Sequence, residues 1–477
     1  MDSRDSMTTS QYSDKTSGTQ DHSFSDNSTR RDFLGIAKKA ALTVGGMSML
    51  EAALNGCGAP AVNTNQGQAN LTWYTEATPG EVTMMKKLVD QFHAKNPNIN
   101  IKMVIGNGAH LQKFNTSLAG GAPPDIVKMW EIDYGGYAKK NVFYDLNEFI
   151  AKDAAFQDKV KPDLYPALVD MFTWEGKFYV MPDQVTDVVL FYNKDHVKEA
   201  GLQMPTSWDD ASWTWDKFLD YAQKLTKTAG GHTSRYGYAE AWWWPFSATG
   251  ALAVANGGNW FAKKPVNPGV GDSNLSDARI AKTVQWYADL SNVHNVAASS
   301  KSLQSQSGFQ LFQTGKAAMT IVGHWYYDAF AGTKGLNFDI APLPIGPDGG
   351  SHSATDMGGN GVSITAKSKY PEEAWKFVSF YGGPEATAAR TIWVPTLKSV
   401  GDSQAWKQAN VAMEHSNLFT DVLKSGYVHN LPVTRAWPNF VNQYATVLGD
   451  IWDNKKKADT ALKELDDYVN KSVQQYG

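Results

Sequence analysis

The sequence predicts an α/β protein built on a parallel sheet, and three observations carry that expectation. Leu71–Thr75 reads as a buried strand, residues 81–95 as an amphipathic helix, and the β-branched, alternating Ile99–Ile105 as a second strand. Strand, helix and strand within about 35 residues make a βαβ unit, which needs a parallel sheet. The same alternation recurs down the chain. The length, 477 residues, suits two or three domains at about 150 residues each.

Each element has a local reason. Val82, Met85, Leu88, Val89 and Phe92 fall on one helical face, and Pro97 stops that helix. Leu111–Ala119 is a helix broken by Pro123-Pro124. Asp125–Met129 is a short strand, followed by a helix from Tyr134 to Lys140. Tyr179–Pro182 and Val188–Tyr192 read as two strands joined by a polar crossing segment, Asp183–Asp187. Helices are expected over Trp215–Lys227 and over Ala278–Asn292, the latter capped by Asp277 or Ser276. Ala317–Val322, Phe338–Pro342 and Gly361–Thr365 read as strands, and the Gly-rich segment 345–361 as a loop or crossover. Pro371–Tyr381 is a helix with Pro in its first turn, and Val441–Trp452 and Asp459–Val469 close the chain as helices.

The first 70 residues stand apart. Residues 1–29 are Ser-, Thr-, Asp- and Gln-rich and offer almost nothing to bury. Thr29-Arg30-Arg31-Asp32-Phe33-Leu34 resembles the twin-arginine export motif. An apolar stretch follows, too short to span a bilayer, and ends in Leu54-Asn55-Gly56-Cys57, which resembles the bacterial lipobox. Cys57 is the only cysteine in the chain. The expectation is a signal over 1–56 that is removed, lipidation of Cys57, and a flexible tether over 57–70.

Composition narrows the chemistry. There are 44 basic and 48 acidic residues, a net charge of −4, which does not suggest a nucleic-acid partner. One cysteine excludes an intramolecular disulfide and a cysteine-based zinc site. Aromatic residues make up 12% of the chain and include 17 Trp, a flat apolar surface in quantity.

The ordered blocks resemble one family, the bacterial extracellular solute-binding proteins of carbohydrate ABC transporters. The blocks are Leu71–Tyr74 with its helix; Ala122-Pro123-Pro124-Asp125-Ile126-Val127 leading to Tyr134-Gly135-Gly136-Tyr137-Ala138; Met181-Pro182 before Phe191-Tyr192-Asn193-Lys194-Asp195; Phe312 through Gly315-Lys316-Ala317-Ala318-Met319-Thr320 to Gly323-His324-Trp325; and Gly358-Gly359-Asn360-Gly361-Val362. The resemblance implies a two-lobed periplasmic-binding-protein fold (type II) with discontinuous lobes and hinge crossovers. One lobe would take 71–184 plus 353–398 and the other 185–352 plus 399–477. Crossings would fall near Asp183–Asp187, Gly350–Asp356 and Pro395–Val400. A monomer that hands a sugar to permease subunits, facing outside and held to the membrane by its lipid alone, is implied, with no cofactor.

A pyranose presents a C–H face that Trp and Tyr can cover and a rim of hydroxyls that planar polar groups can bind. By resemblance, Trp325 is the foremost stacking residue, and Tyr74 and Glu76 end a strand where this family contacts ligand. Trp130, Glu131 and Asp133 follow the next strand, and Asp183 and Thr186 lie in the crossing segment. Trp242 and Trp243, with Trp244-Pro245, could form an aromatic platform. Gly359 and Asn360 could bring backbone amides close to hydroxyls. Trp393, Arg435 and Trp437 lie in stretches that approach the cleft. Trp208, Trp213, Trp215, Trp286, Trp375 and Trp452 fall in or beside helical patterns and are assigned to packing.

No HExxH, GxSxG or Walker pattern is present, and the ten His residues lack ligand spacing. The chain is therefore read as a binding protein and not an enzyme. The rival readings are a secreted, Trp-rich glycosidase or polysaccharide lyase, and the same scaffold binding a non-sugar solute.

Overall fold

Local signals set the first elements as expected. Thr78 caps helix α1, Pro79–Lys95, in a reciprocal capping box: its side chain accepts from the Glu81 amide, and the Glu81 carboxylate accepts from the Thr78 amide. The computed structural model describes residues 68–106, 109–240, 248–260, 266, 272–390, 392–430, 433 and 437–476. Their strands are β1 Ala69–Thr75, β2 Ile99–Ile105, β3 Ile126–Trp130, β4 Thr173–Trp174, β5 Lys177–Phe178, β6 Met181–Asn193, β7 Lys227–Ala229, β8 His232–Tyr238, β9 Ala317–Gly323, β10 Phe338–Ala341, β11 Thr355–Ile364 and β12 Val428–Asn430. Helices α2, His110–Ala119, and α3, Glu131–Ala138, flank β3.

All strands except the β4–β5 hairpin belong to one sheet with the path β2-β1-β3-β11-β6-β9-β8-β7; β10 pairs with β6, and β12 with β11. The sheet is mixed, where the βαβ pattern alone pointed to a parallel one. β1 is parallel to β2 and β3, β8 to β9 and β11 to β12, but β6 runs antiparallel to β9, β10 and β11, and β11 antiparallel to β3 as well. The reason is topological. β6 and β11 are the long central strands, and between them they join the parallel group around β1 to the group around β9.

Two further expectations give way here. Asp183–Asp187 does not link two strands; it lies inside the 13-residue β6. The Gly-rich segment 345–361 is not all loop, since β11 begins at Thr355. Glycine permits the close approach of these strands. A Cβ on Gly361 would lie 2.2 Å from the Met181 carbonyl oxygen, and one on Gly358 would lie 2.5 Å from Thr186 Oγ1.

The core sits on the sheet faces. Trp73 is buried against Phe377 and Tyr381 of helix Pro371–Gly382, with ring centroids 5.3 and 5.0 Å away. Trp215 and Trp286 stack at 4.3 Å. Trp208 and Trp213 are buried and donate to the carbonyls of Leu418 and Pro342. Trp375 is also buried, and Trp452 packs at the border of two clusters. These six tryptophans pack as the helical patterns predict.

Candidate functional site

The strand register brings three strand ends to one place. β3 ends at Trp130, the partner of Asn360 in β11, and Asn360 partners Gln184 in β6. β9 ends at Gly323, the partner of Val188 in β6. β1 runs parallel to β3 and ends beside it at Thr75. The carboxyl ends of strands from both flanks thus meet the same stretch of β6 and β11. In open α/β sheets such a switch point is where ligands lie.

On the β1–β3 flank, carboxylates and indoles are paired. Trp130 donates its Nε1–H to Glu76 Oε1 at 2.6 Å, and Trp393 donates to Glu81 Oε1 at 2.8 Å. Lys128 is buried in β3, and its Nζ lies 4.6 Å from the centre of the Trp393 ring. Burial pushes Glu76 up, and the Lys128 charge and the Trp130 bond oppose that. His110 is buried at the start of α2, and burial followed by the Lys128 charge lowers it to about 4. The neutral ring faces the Lys128 carbonyl through Nε2 at 3.2 Å and Glu76 Oε2 through Nδ1 at 3.5 Å. A proton on Nε2 satisfies the carbonyl and leaves Nδ1 as an acceptor.

At the centre, Glu131 is buried, and its Oε2 accepts the Gly359 N–H at 3.1 Å. Burial raises it to about 7. Asp133 is raised to about 7 by burial and by Glu76. Asn360 donates to Gln184 Oε1 at 3.0 Å. Thr186 is half-buried, with its hydroxyl against Gly358. Asp183 and Asp187 are buried, and no carboxylate oxygen of either has a hydrogen-bond partner.

On the β8–β9 flank, Tyr287 donates to Glu240, which follows β8, and the Tyr238 hydroxyl lies 3.4 Å from the same oxygen. Burial, then Glu240, raises Tyr326 to about 12. Trp325 follows the end of β9, half-buried, and folds its ring over Gly323, where a Cβ would lie 1.9 Å from the indole.

The register therefore brings Glu76, Trp130, Glu131, Asp183, Thr186, Gly359 and Asn360 together, with Asp133 beside Glu76 and Trp325 at the β9 end. Tyr74 is half-buried within β1, one residue before the strand ends. Two positions differ from the picture of free contact groups. Glu131 points inward, and it takes the Gly359 amide that was expected to meet ligand. Trp393 is buried except for 5% and is held by Glu81. Trp242, Trp243 and Arg435 lie outside the described residues, as does the side chain of Trp437, which opens helix Trp437–Trp452. The sequence patterns do not point to His110, Glu81, Glu240 or Asp328. For Lys128 a signal existed, since it lies two residues before Trp130 on one strand face.

One further group has metal-binding composition: Asp339, Glu414 and His415 offer ligand atoms within 4.8 Å of one another. Its partners account for it. Asp339 accepts from the His415 ring at 2.7 Å and from the amides of Ile340 and His415, and Lys194 pairs with Glu414.

The mixed α/β sheet, with two long central strands that join its two flanks, is that of a two-lobed periplasmic-binding-protein fold of type II. An ABC substrate-binding protein from Listeria monocytogenes, solved in complex with cycloalternan, superposes with a TM-score of 0.71 at 24% identity, covering 85% of this chain and 99% of that one. In sequence, residues 77–388 match the family described as bacterial extracellular solute-binding protein, and the chain belongs to that family. An arabinooligosaccharide-binding protein of Bacillus subtilis is 26% identical over 391 residues, 80% of this chain and 84% of its own length. An uncharacterized lipoprotein of Streptomyces antibioticus is 24% identical over 70% of this chain and 71% of its own.

Proposed function

We propose that this protein is the substrate-binding lipoprotein of an ABC importer, which captures a mono- or oligosaccharide where the strand ends meet the crossing strands and delivers it to the permease. The observation that carries the reading is the half-buried indole–carboxylate unit Trp130–Glu76 at the junction, beside the buried Lys128 and Trp393. Flat indoles suit the C–H face of a pyranose, and anchored carboxylates suit its hydroxyl rim. The named ligands of two similar proteins, arabinooligosaccharide and cycloalternan, are of this chemical class. The lobes would be 71–184 plus 353–398 and 185–352 plus 399–477, closing over ligand by population shift.

A thermal-shift screen against mono- and oligosaccharides tests this, because a ligand that binds only the folded state raises Tm. The reading expects a rise with at least one sugar and unchanged sugar after incubation. No rise with any sugar sinks it, and product formation moves the protein to the glycosidase or lyase reading. For the anchor, Cys57→Ser should shift the protein from the membrane to the soluble fraction of the native host. Continued membrane retention refutes lipidation at Cys57.

A further inference from the structure

Asp183 and Asp187 are the least explained polar groups at the junction, and Asp183 has the more unusual backbone. In the β6–β11 ladder, Asn360 faces Gln184 and Gly361 faces Pro182, so Asp183 is the extra, unpaired residue of a β-bulge. A bulge re-aims the side chain of its extra residue, and bulges gather next to functional sites. The carboxylate is 1% exposed, and neither oxygen has a hydrogen-bond partner. Leaving a buried carboxyl group without any hydrogen-bond partner is costly, so a partner is to be sought.

The surroundings say what charge that partner carries. The Asp183 charge is felt at Glu76, whose other charged neighbours are Lys128 and Glu81. It is also felt at Tyr381, whose buried hydroxyl has no partner either. Glu76 in turn acts on Asp133. From the β9 flank, Asp328 of helix Tyr327–Ala331 is in the field of Glu81. Among the described residues two cations oppose these acids, and both are committed. Lys128 lies over Trp393. Arg390 lies over the Tyr381 ring at 4.4 Å, donates to the Tyr381 carbonyl and to Thr387, and forms no ion pair with Asp183. Among the described residues acidic groups thus outnumber basic ones here, and the surplus includes Asp183, which is buried and unbonded.

We propose that the crossing strands hold a cation-accepting subsite centred on the Asp183 carboxylate, and that the carbohydrate captured here carries a protonated amine. The inference rests on the carbohydrate reading above and narrows it to amino sugars. An ammonium group supplies three donors and a positive charge, enough to satisfy Asp183 and reach a second carboxylate or the Tyr381 hydroxyl. A neutral hydroxyl supplies one donor and leaves the charge uncompensated.

Titration calorimetry on the full chain tests this with matched pairs: glucose and glucosamine, then α-1,4- and β-1,4-linked gluco-oligosaccharides and their 2-amino-2-deoxy counterparts. In every pair that binds, the amino member should bind at least about tenfold tighter at low salt, and the gap should shrink as salt rises. Asp183→Asn should collapse the ratio to within about threefold, while the Tm of the ligand-free protein holds or rises, because no bond is lost. If neutral sugars bind and their amino counterparts bind no better, the subsite is refuted and the carbohydrate reading survives. A ratio that persists in Asp183→Asn also refutes it. If no member of any pair binds, the amino-sugar subsite is refuted, and the thermal-shift screen alone decides the carbohydrate reading.

Discussion

The acidic groups of this protein are held in two different ways within one junction. At the ends of β1 and at the start of α1, each carboxylate has a donor: Glu76 has Trp130, and Glu81 has Trp393 and its own helix cap. Within the crossing strand β6, Asp183 and Asp187 have none. The first arrangement fixes the geometry of a wall, because a bonded indole has few orientations left. The second fixes nothing and costs stability, which is the mark of a position kept for something other than folding. The walls belong to the frame, and the crossing strands carry the unsatisfied chemistry.

The frame can be broken most severely where the crossing strands touch. Gly361→Ala would put a Cβ 2.2 Å from the Met181 carbonyl oxygen and 2.7 Å from Val180 Cγ1, with backbone that cannot step aside. We expect a loss of about 3 kcal/mol in urea unfolding. A loss below about 1 kcal/mol would mean the strands are not tightly seated.

Next in size is the wall. Glu76→Ala removes the acceptor of the Trp130 indole and should weaken sugar binding by about tenfold, with Glu76→Gln, which keeps an acceptor, losing only about threefold. Equal losses in both variants would mean that the charge, not the anchoring of the indole, is what counts.

The buried carboxyls should show in the pH dependence of stability. Burial raises Glu131 and Asp133 to about 7 and holds Asp187 and Asp356 well above the ordinary range. Unfolded, these groups lose protons near 4.5 and 3.8, so at intermediate pH the folded chain binds more protons. Their contribution to stability is therefore fully present below about pH 4 and is lost as pH rises through about 7. Glu131→Gln, which can still accept the Gly359 amide, should flatten the fall of Tm across that window. An unchanged slope would show that Glu131 does not titrate there. The smallest effect belongs to the exposed surface. Lys152→Ala, which breaks the Lys152–Glu372 pair at 3.2 Å, should change stability by less than about 0.5 kcal/mol in the same urea assay.

The two regions also differ in how far the sequence discloses them. β1, α1 and β2 carry their own signals: β-branched alternation, a Thr–Glu capping box and a stopping proline. The helix at Ala278–Asn292 starts at Asp277, one of the two caps expected. β6 and β11 carry misleading signals. Asp183, Asp187, Gly358 and Gly359 read as loop residues, because polarity and glycine ordinarily mark turns. Here the glycines make room for packing at the junction, and the acids are buried by the rest of the fold, which no local window contains. For the site the division is the same. Glu76, Trp130 and Trp325 are legible from their places at strand ends. Lys128, Glu81 and His110 enter through contacts between distant stretches, such as Glu81 with Trp393, which spacing alone does not reveal.

The central claim is that both flanks of the sheet grip one carbohydrate at the crossing strands. Titration of Trp130→Ala and Trp325→Ala with the best sugar from the thermal-shift screen tests it most directly, since one residue comes from each flank. Each variant should remain folded and lose at least about tenfold in affinity. Wild-type affinity in either variant would contradict a ligand held between the two.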